Sequence, residues 1–344
     1  MKKTAQWVHI LIAEGMMLGL ILLSISGCSL PASFSATSTP LPTQTPIATP
    51  TLEPKPLGDP QNPIILGAAV STDNEALSQL ASLLAQKTGY AVSAKSYPGL
   101  SGLISEMQAG VVQVAWLPPL PYVYAHEQGF ANILVISNHF GVFNYGAQFL
   151  ANADSGFTAY FNAVNGVNTA EAGTALQQLA GKKPCWVNPT SPSGYAVPAG
   201  LLQKLNIPVQ SGAFLQDHSS VIRALYVKNI CDFGVTFAIS GDPRTSTAVA
   251  DLPDTLTRIP ILYRTEPVIP NDGIAVLPEI PEDMRLKLMV AFLELIRTPE
   301  GRALVSAAFN YDVQDFMAVD HQVYLPLEDL VNNGVLNLED TISP

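Results

Sequence analysis

From Ile64 onward the sequence alternates short apolar runs with stretches of helical periodicity, and this alternation limits the fold more than any other feature. Such a succession builds βα units whose strands lie in a mostly parallel sheet. Residues 64–70 read as a strand. Thr72-Asp73-Asn74-Glu75 reads as a capping box opening a helix with Leu77, Leu80, Ala81 and Leu84 on its apolar face. Strands over 91–97, 112–117 and 133–137 then alternate with helices over 100–109 and 122–128, giving the order βαβαβαβ for one α/β lobe.

A second series follows: helical spacing over 170–180, a strand at Cys185, a helix over 193–205, a strand over 213–215, a helix over 219–229 and a strand at Cys231. An extended stretch over 143–151, which also reads as a strand leaving the first lobe, and one over 257–265 read as crossings between two lobes. Helices over 282–296 and, with Thr298 as cap and Pro299 following it, over 299–309 are expected to pack back on the first lobe. The expected division is lobe 1 over 63–145 and 266–330, lobe 2 over 152–256, and hinge crossings at 146–151 and 257–265. Ligands of open α/β sheets bind at the carboxyl ends of strands, so two such lobes facing each other place a site in the cleft between them.

Upstream of this body the chain carries different signals. Lys2 and Lys3 precede an apolar run over 10–25 that ends in Ile25-Ser26-Gly27-Cys28. This reads as a signal peptide over 1–27 with a lipid-modification site at Cys28. The run is interrupted by Glu14, Gly15, Gly19 and Ser24, which leaves it short of the roughly 20 residues of a bilayer span. Residues 31–60 hold eight prolines and six threonines. That composition buries too little to offset chain entropy, so 28–62 is expected to be a disordered tether. The chain has 17 basic and 28 acidic residues, a formal charge of −11, which argues against nucleic acid as a partner. With Cys28 lipidated, Cys185 and Cys231 remain, each at the start of a strand-like run. They form either a disulfide or two separate buried thiols.

The segment with most chemical content is Asn188-Pro189-Thr190-Ser191-Pro192-Ser193-Gly194-Tyr195, which follows a strand and opens an apolar helix. Ser191 fits the N-cap and Pro192 the first helical position. A helix start with flanking hydroxyls binds an anion without needing lysine or arginine. The same residues also satisfy the demands of ordinary capping.

This segment resembles the Ser-Thr-Ser-Gly-Tyr element of the phosphonate/phosphite-binding proteins of ABC transporters, the PhnD-like periplasmic solute-binding proteins. Val112-Gln113-Val114-Ala115-Trp116-Leu117-Pro118-Pro119 with Tyr122 is similar to that family's first-lobe strand and aromatic turn. Asp217-His218-Ser219-Ser220-Val221, the stretch from Lys228 to Val235, and Arg264-Thr265-Glu266-Pro267-Val268-Ile269-Pro270-Asn271-Asp272 resemble three further elements in order and spacing. The resemblance spans most of residues 63–310.

The resemblance implies a two-lobed type II periplasmic-binding-protein fold and a monomeric, lipid-anchored binding protein that captures a small anion for a transporter permease. By position it implies that Ser191, Ser193, Gly194 and Tyr195 grip an oxyanion, that Asp232 accepts a bond from a protonated ligand group, and that Tyr122 or Trp116 closes the first-lobe side. His218 and Ser219 stand beside the site. Two departures bear on specificity. Pro192 removes a hydroxyl and an N–H donor, and Ser219 stands where an acid usually follows the histidine. A sensing lobe for a signalling protein, or a non-phosphorus ligand, fits the same clamp. His9, His126, His139 and His321 have no metal-ligand spacing, so neither metal nor cofactor is expected. No nucleophile elbow or zinc-protease motif points to an enzyme.

Overall fold

The computed structural model describes residues 55–69, 73–332 and 336–342. The expected signal peptide, the lipid site at Cys28, residues 28–54 of the expected tether, and Thr72 lie outside the described residues. Residues 55–62, expected to belong to the tether, instead join the body. Leu57 packs against the first core, and the Ala91 N–H donates to the Gly58 carbonyl at 2.8 Å.

The first series forms in the expected order: β1 (Ile64–Ala69), α1 (Asn74–Thr88), β2 (Val92–Tyr97), α2 (Leu100–Gln108), β3 (Val114–Leu117), α3 (Pro119–Glu127) and β4 (Asn132–Asn138). The cap of α1 is Asp73, one residue beyond the start of the expected box. Its carboxylate accepts from the Glu75 and Ala76 N–H groups at 2.9 and 3.1 Å. The chain then enters β5 (Asn144–Leu150), a hairpin of β6 (Phe161–Asn162) and β7 (Val167–Asn168), and α4 (Ala172–Leu176). There follow β8 (Pro184–Trp186), α5 (Val197–Lys204), β9 (Ala213–Phe214), α6 (His218–Val227), β10 (Phe233–Ala238), α7 (Thr255–Arg258) and β11 (Ile261–Arg264). It returns through β12 (Ile269–Pro270), β13 (Gly273–Val276), α8 (Glu282–Leu295), α9 (Pro299–Phe309), β14 (Asp315–Ala318) and α10 (Leu325–Val331).

Two mixed sheets result. The first has the order β14-β4-β13-β3-β1-β2, with β1 parallel to β2 and β3, and with β13 inserted antiparallel between β3 and β4. The second has the order β11-β5-β10-β8-β9, with β8 parallel to β10 and β9. The extended stretch over 143–151 forms the strand β5, as its reading allowed, and the stretch over 257–265 begins in α7 and ends in β11, both strands joining this second sheet. β5 pairs antiparallel with β11 (Arg264↔Gln148) and then with β12 (Ile269↔Tyr145), so the two connections run side by side as a hydrogen-bonded ribbon. The Asn271 side chain fastens its end, donating to the Ser137 and Val142 carbonyls at 3.1 and 2.7 Å.

The first core gathers residues such as Leu66, Leu80, Val114 and Phe292. The second sheet is covered on both faces, by Phe149, Trp186, Leu202 and Phe233 on one and by Leu150, Val221, Leu225 and Ile261 on the other. At the start of α5, Ala196 and Val197 join the first core with Leu327, Leu330 and Val331 of α10. There α10 lies so close to α5 that a Cβ on Gly200 would sit 1.9 Å from the Leu330 carbonyl oxygen, so only glycine fits. Lys204 and Asp329 form an ion pair across the same contact. Cys185 and Cys231 are joined as a disulfide, Cα–Cα 5.6 Å, because the parallel pairing Gly234↔Cys185 brings the residues preceding β10 alongside β8.

Candidate functional site

The carboxyl end of β8 leads into a tight turn, Pro192–Ala196, wound one residue wider than an α-helix and continuous with α5. Ser191 is its N-cap: its hydroxyl accepts from the Gly194 N–H at 3.0 Å. Gly194 is needed there, since a Cβ would lie 2.4 Å from Val187. The capping bond engages the Ser191 hydroxyl and leaves Ser193, only 2% exposed, as the hydroxyl facing the rest of the site. Ser193 is hydrogen-bonded with the phenol of Tyr145, the second residue of β5. Burial raises the Tyr145 phenol well above its ordinary range. The charge of Asp272 raises it further, and the Ser193 bond draws it back.

Asp272 ends the return ribbon just before β13. Burial pushes its carboxyl up to about 7, against the opposing pull of the Trp116 indole N–H that donates to it. Its backbone carbonyl accepts from the Ser137 N–H and hydroxyl at 3.0 and 2.7 Å, which fixes the residue against β4. The Trp116 ring stacks on Phe309 at 4.4 Å between centroids and tilts against Tyr311 at 5.6 Å. Tyr311 is hydrogen-bonded with Ser137, and burial and the Asp272 charge together raise its phenol. Ser193 beside the second sheet, Tyr145 of the ribbon, and Asp272, Trp116 and Tyr311 beside the first sheet thus form one partly buried polar cluster. Its polar groups are hydroxyls, an indole N–H and a carboxyl whose pKa burial raises toward neutrality. Such a set offers both donors and acceptors to a compact polar ligand.

Tyr122, Tyr195 and Asp232, also singled out from the sequence, lie away from this cluster, whereas His218 and Ser219 stand at the same end of the second sheet as the Ser193 turn. Tyr122 is fully buried in the first core, where its phenol accepts from the Ile133 N–H at 3.3 Å and lies 3.1 Å from His321 Nδ1. Tyr195 turns to the opposite side of its helix. With Trp186 and Phe214 it lines a lateral cavity of about 740 Å³ in the second lobe. Asp232 precedes β10, at the amino end of the sheet, and accepts from the Lys183 N–H at 2.7 Å. Lys183 lies four residues before Val187, whose N–H donates to the Gly194 carbonyl, so about 13 Å of strand separates Asp232 from the Ser193 turn. His218 is at the carboxyl end of the sheet. Burial lowers it to about 4, so it is neutral, and its Nδ1 accepts from the Phe237 N–H at 3.3 Å. Ser219 lies in the first turn of α6, and its backbone N–H supports Asp217, the cap of that helix. Of the expected ligand groups, Ser193 and Trp116 therefore meet in one place, together with Tyr145, Asp272 and Tyr311. Asp272 closes the quoted segment Arg264–Asp272 and directly precedes a strand buried along its whole length. That juxtaposition was a usable signal for it.

Among the described residues no group of histidine, cysteine, aspartate or glutamate is placed to hold a metal, and no helix is long and apolar enough to cross a membrane.

Residues 69–324 match the family described as ABC transporter, phosphonate, periplasmic substrate-binding protein. The chain belongs to this family. The phosphate-import protein PhnD of Mycolicibacterium smegmatis is 31% identical over 170 residues, covering 46% of this chain and 48% of that protein. The chain thus spans about half the length of this curated relative. Among solved structures, XAC2383 from Xanthomonas citri bound to ATP covers 81% of this chain and 99% of its own, at 18% identity and a TM-score of 0.60. PhnD1 from Prochlorococcus marinus in complex with methylphosphonate covers 78% and 96%, at 13% identity and a TM-score of 0.51. These likenesses concern the fold, which is that of the type II periplasmic binding proteins. The phosphonate-binding family consists of substrate-binding components, not enzymes.

Proposed function

We propose that this phosphonate-binding family member captures a small oxyanion of the phosphonate, phosphite or phosphate class between its lobes and delivers it to the permease of an ABC importer. The observation that carries this reading is the meeting of Ser193, at the opening of α5, with Tyr145 and Asp272. A helix start from one lobe and a protonatable carboxyl from the other supply donors and an acceptor to the same anion. The phosphate-import relative and the methylphosphonate-bound neighbour point to the same ligand class. In this reading the protein works outside the cytoplasm as a monomer held to the membrane by lipid on Cys28, with the Pro/Thr-rich segment giving it reach. The Cys185–Cys231 disulfide suits that oxidising compartment.

The test is thermal unfolding of the full chain with methylphosphonate, phosphite, phosphate and sulfate in turn. A ligand at a hundred times its dissociation constant adds about 2.7 kcal/mol, enough to raise the midpoint by several degrees. A flat response to all four removes the oxyanion reading. Ser193→Ala is expected to weaken the effective ligand about tenfold or more, by loss of a hydrogen bond to a charged group, while the midpoint without ligand stays close to that of the unchanged protein. Cys28→Ala is expected to move the protein from the membrane fraction to the soluble fraction of cells. Retention at the membrane would rule out the lipid anchor.

A further inference from the structure

The lateral cavity of about 740 Å³ in the second lobe has walls that the proposed anion site does not use. Trp186 is only 4% exposed, and its indole N–H has no hydrogen-bond partner among the described residues. A buried donor without a partner is uncommon, because burial sacrifices its bond to water. The nitrogen is not sealed off, since it lies on the cavity wall beside Gly212. A Cβ on Gly212 would sit 2.2 Å from it, so any larger residue there would close over the donor. Trp186 meets Tyr195 at 5.4 Å and 74°, and Tyr195 meets Phe214 at 5.1 Å and 72°, an edge-to-face series that ends on the exposed ring of Phe214. A further flat ring extends such a series favourably. No charged side chain lines the cavity, and the exposed polar groups at its rim are those of Asn206, Gln210 and Ser211. The facing strap over 206–212 is held in place, with the Gly181 N–H donating to the Pro208 carbonyl at 2.7 Å and the Gln210 N–H to the Lys182 carbonyl at 2.9 Å. The cavity is thus pre-formed and of a size that suits a small molecule.

We propose that this cavity is a second binding site, for an uncharged fused-ring heterocycle that carries a carbonyl or ring-nitrogen acceptor. The acceptor takes the Trp186 N–H, the ring packs against Tyr195 and Phe214, and the amides at the rim meet the polar edge of the heterocycle. A charged ligand is disfavoured, because no opposite charge on the walls offsets its desolvation. The site lies on the other side of the Pro192–Ala196 turn from Ser193, so it goes beyond the oxyanion reading and stands without it.

The experiment is calorimetric titration of the full chain with hypoxanthine, a flat bicyclic lactam, and with indole, equally flat but without an acceptor. Hypoxanthine is expected to bind, and indole to bind about tenfold more weakly for want of the bond to Trp186. Trp186→Phe keeps a ring and removes the N–H, whereas Phe214→Ala removes a ring that is 39% exposed and so leaves the core in place. Each is expected to lower hypoxanthine affinity about threefold to tenfold. Thermal unfolding without ligand checks both variants, and Phe214→Ala carries the test if Trp186→Phe loses its fold. Absence of saturable hypoxanthine binding overturns the proposal, as does equal binding of indole or equal affinity in Phe214→Ala and the unchanged protein. Displacement of hypoxanthine by saturating methylphosphonate also overturns it, since the two would then share one site. Failure of the oxyanion reading shows separately, as no binding of methylphosphonate, and leaves this site standing.

Discussion

Asp272→Asn is expected to remove a stability slope between about pH 4 and pH 7. In the folded protein burial raises the Asp272 carboxyl from 3.8 to about 7, so over this window the native state holds a proton that the unfolded chain has released. The associated stability is fully present below pH 3.8 and is lost as pH rises through about 7. A shift of this size corresponds to a loss on the order of 4 kcal/mol. Asparagine is neutral throughout and can still accept from the Trp116 indole, so urea midpoints of the variant should vary little with pH where those of the unchanged protein fall. Ligand affinity should follow the same logic. An ionised Asp272 repels an oxyanion while a protonated one donates to it, so the unchanged protein should lose affinity for methylphosphonate above about pH 7 more steeply than Asp272→Asn. The ligand's own ionisation is common to both proteins and cancels in the comparison. Parallel slopes would show that Asp272 does not titrate in this range.

Loss of the Cys185–Cys231 bond is expected to be of similar size. It closes a loop with a sequence separation of 46, and the chain-entropy account of such a loop gives about 4 kcal/mol. Whole domains are stable by only about 5–15 kcal/mol, so a large part of the margin rests on this link. The double variant Cys185→Ala/Cys231→Ala, compared with the oxidised protein by urea unfolding, should show a markedly lower midpoint. The proposed site should survive below that midpoint, because the bond lies near the amino ends of β8 and β10 and Ser193 lies beyond the carboxyl end of β8. A change under about 1 kcal/mol would mean that the unfolded chain is already compact without the bond.

The alternation of strand and helix was legible in the sequence because each element carries its own period and its own caps. Ser191 and Pro192 open their helix as the local residues dictate, and α9 runs from Pro299 to Phe309 as its cap predicts. What local patterns do not encode is long-range pairing. β13 is four apolar residues with no periodicity to mark it, yet it lies between β3 and β4, and the crossing stretches become sheet strands only because they find each other. The site shows the same division. Ser193 was visible because helix starts have local chemistry, whereas Tyr145, Asp272 and Tyr311 become a group only when the ribbon and the first sheet fold together. Asp232 and Tyr195 matched in position along the chain but face other directions, since the end of a strand or the side of a helix cannot be read from a motif alone.

The paired connection of β5 with β11 and β12 restricts the mechanics of the molecule. Two loose linkers would let the halves swivel, slide and bend independently. A hydrogen-bonded ribbon behaves like a leaf hinge, because shear between its strands breaks the ladder while flexing across its thin direction does not. With Asn271 riveting one end, the ribbon resists sliding of one sheet past the other more than it resists bending. The path from open to shut then runs mainly through bending. If the proposed function holds, a permease that recognises the shut form meets one shape, set by the backbone, whatever ligand has been caught.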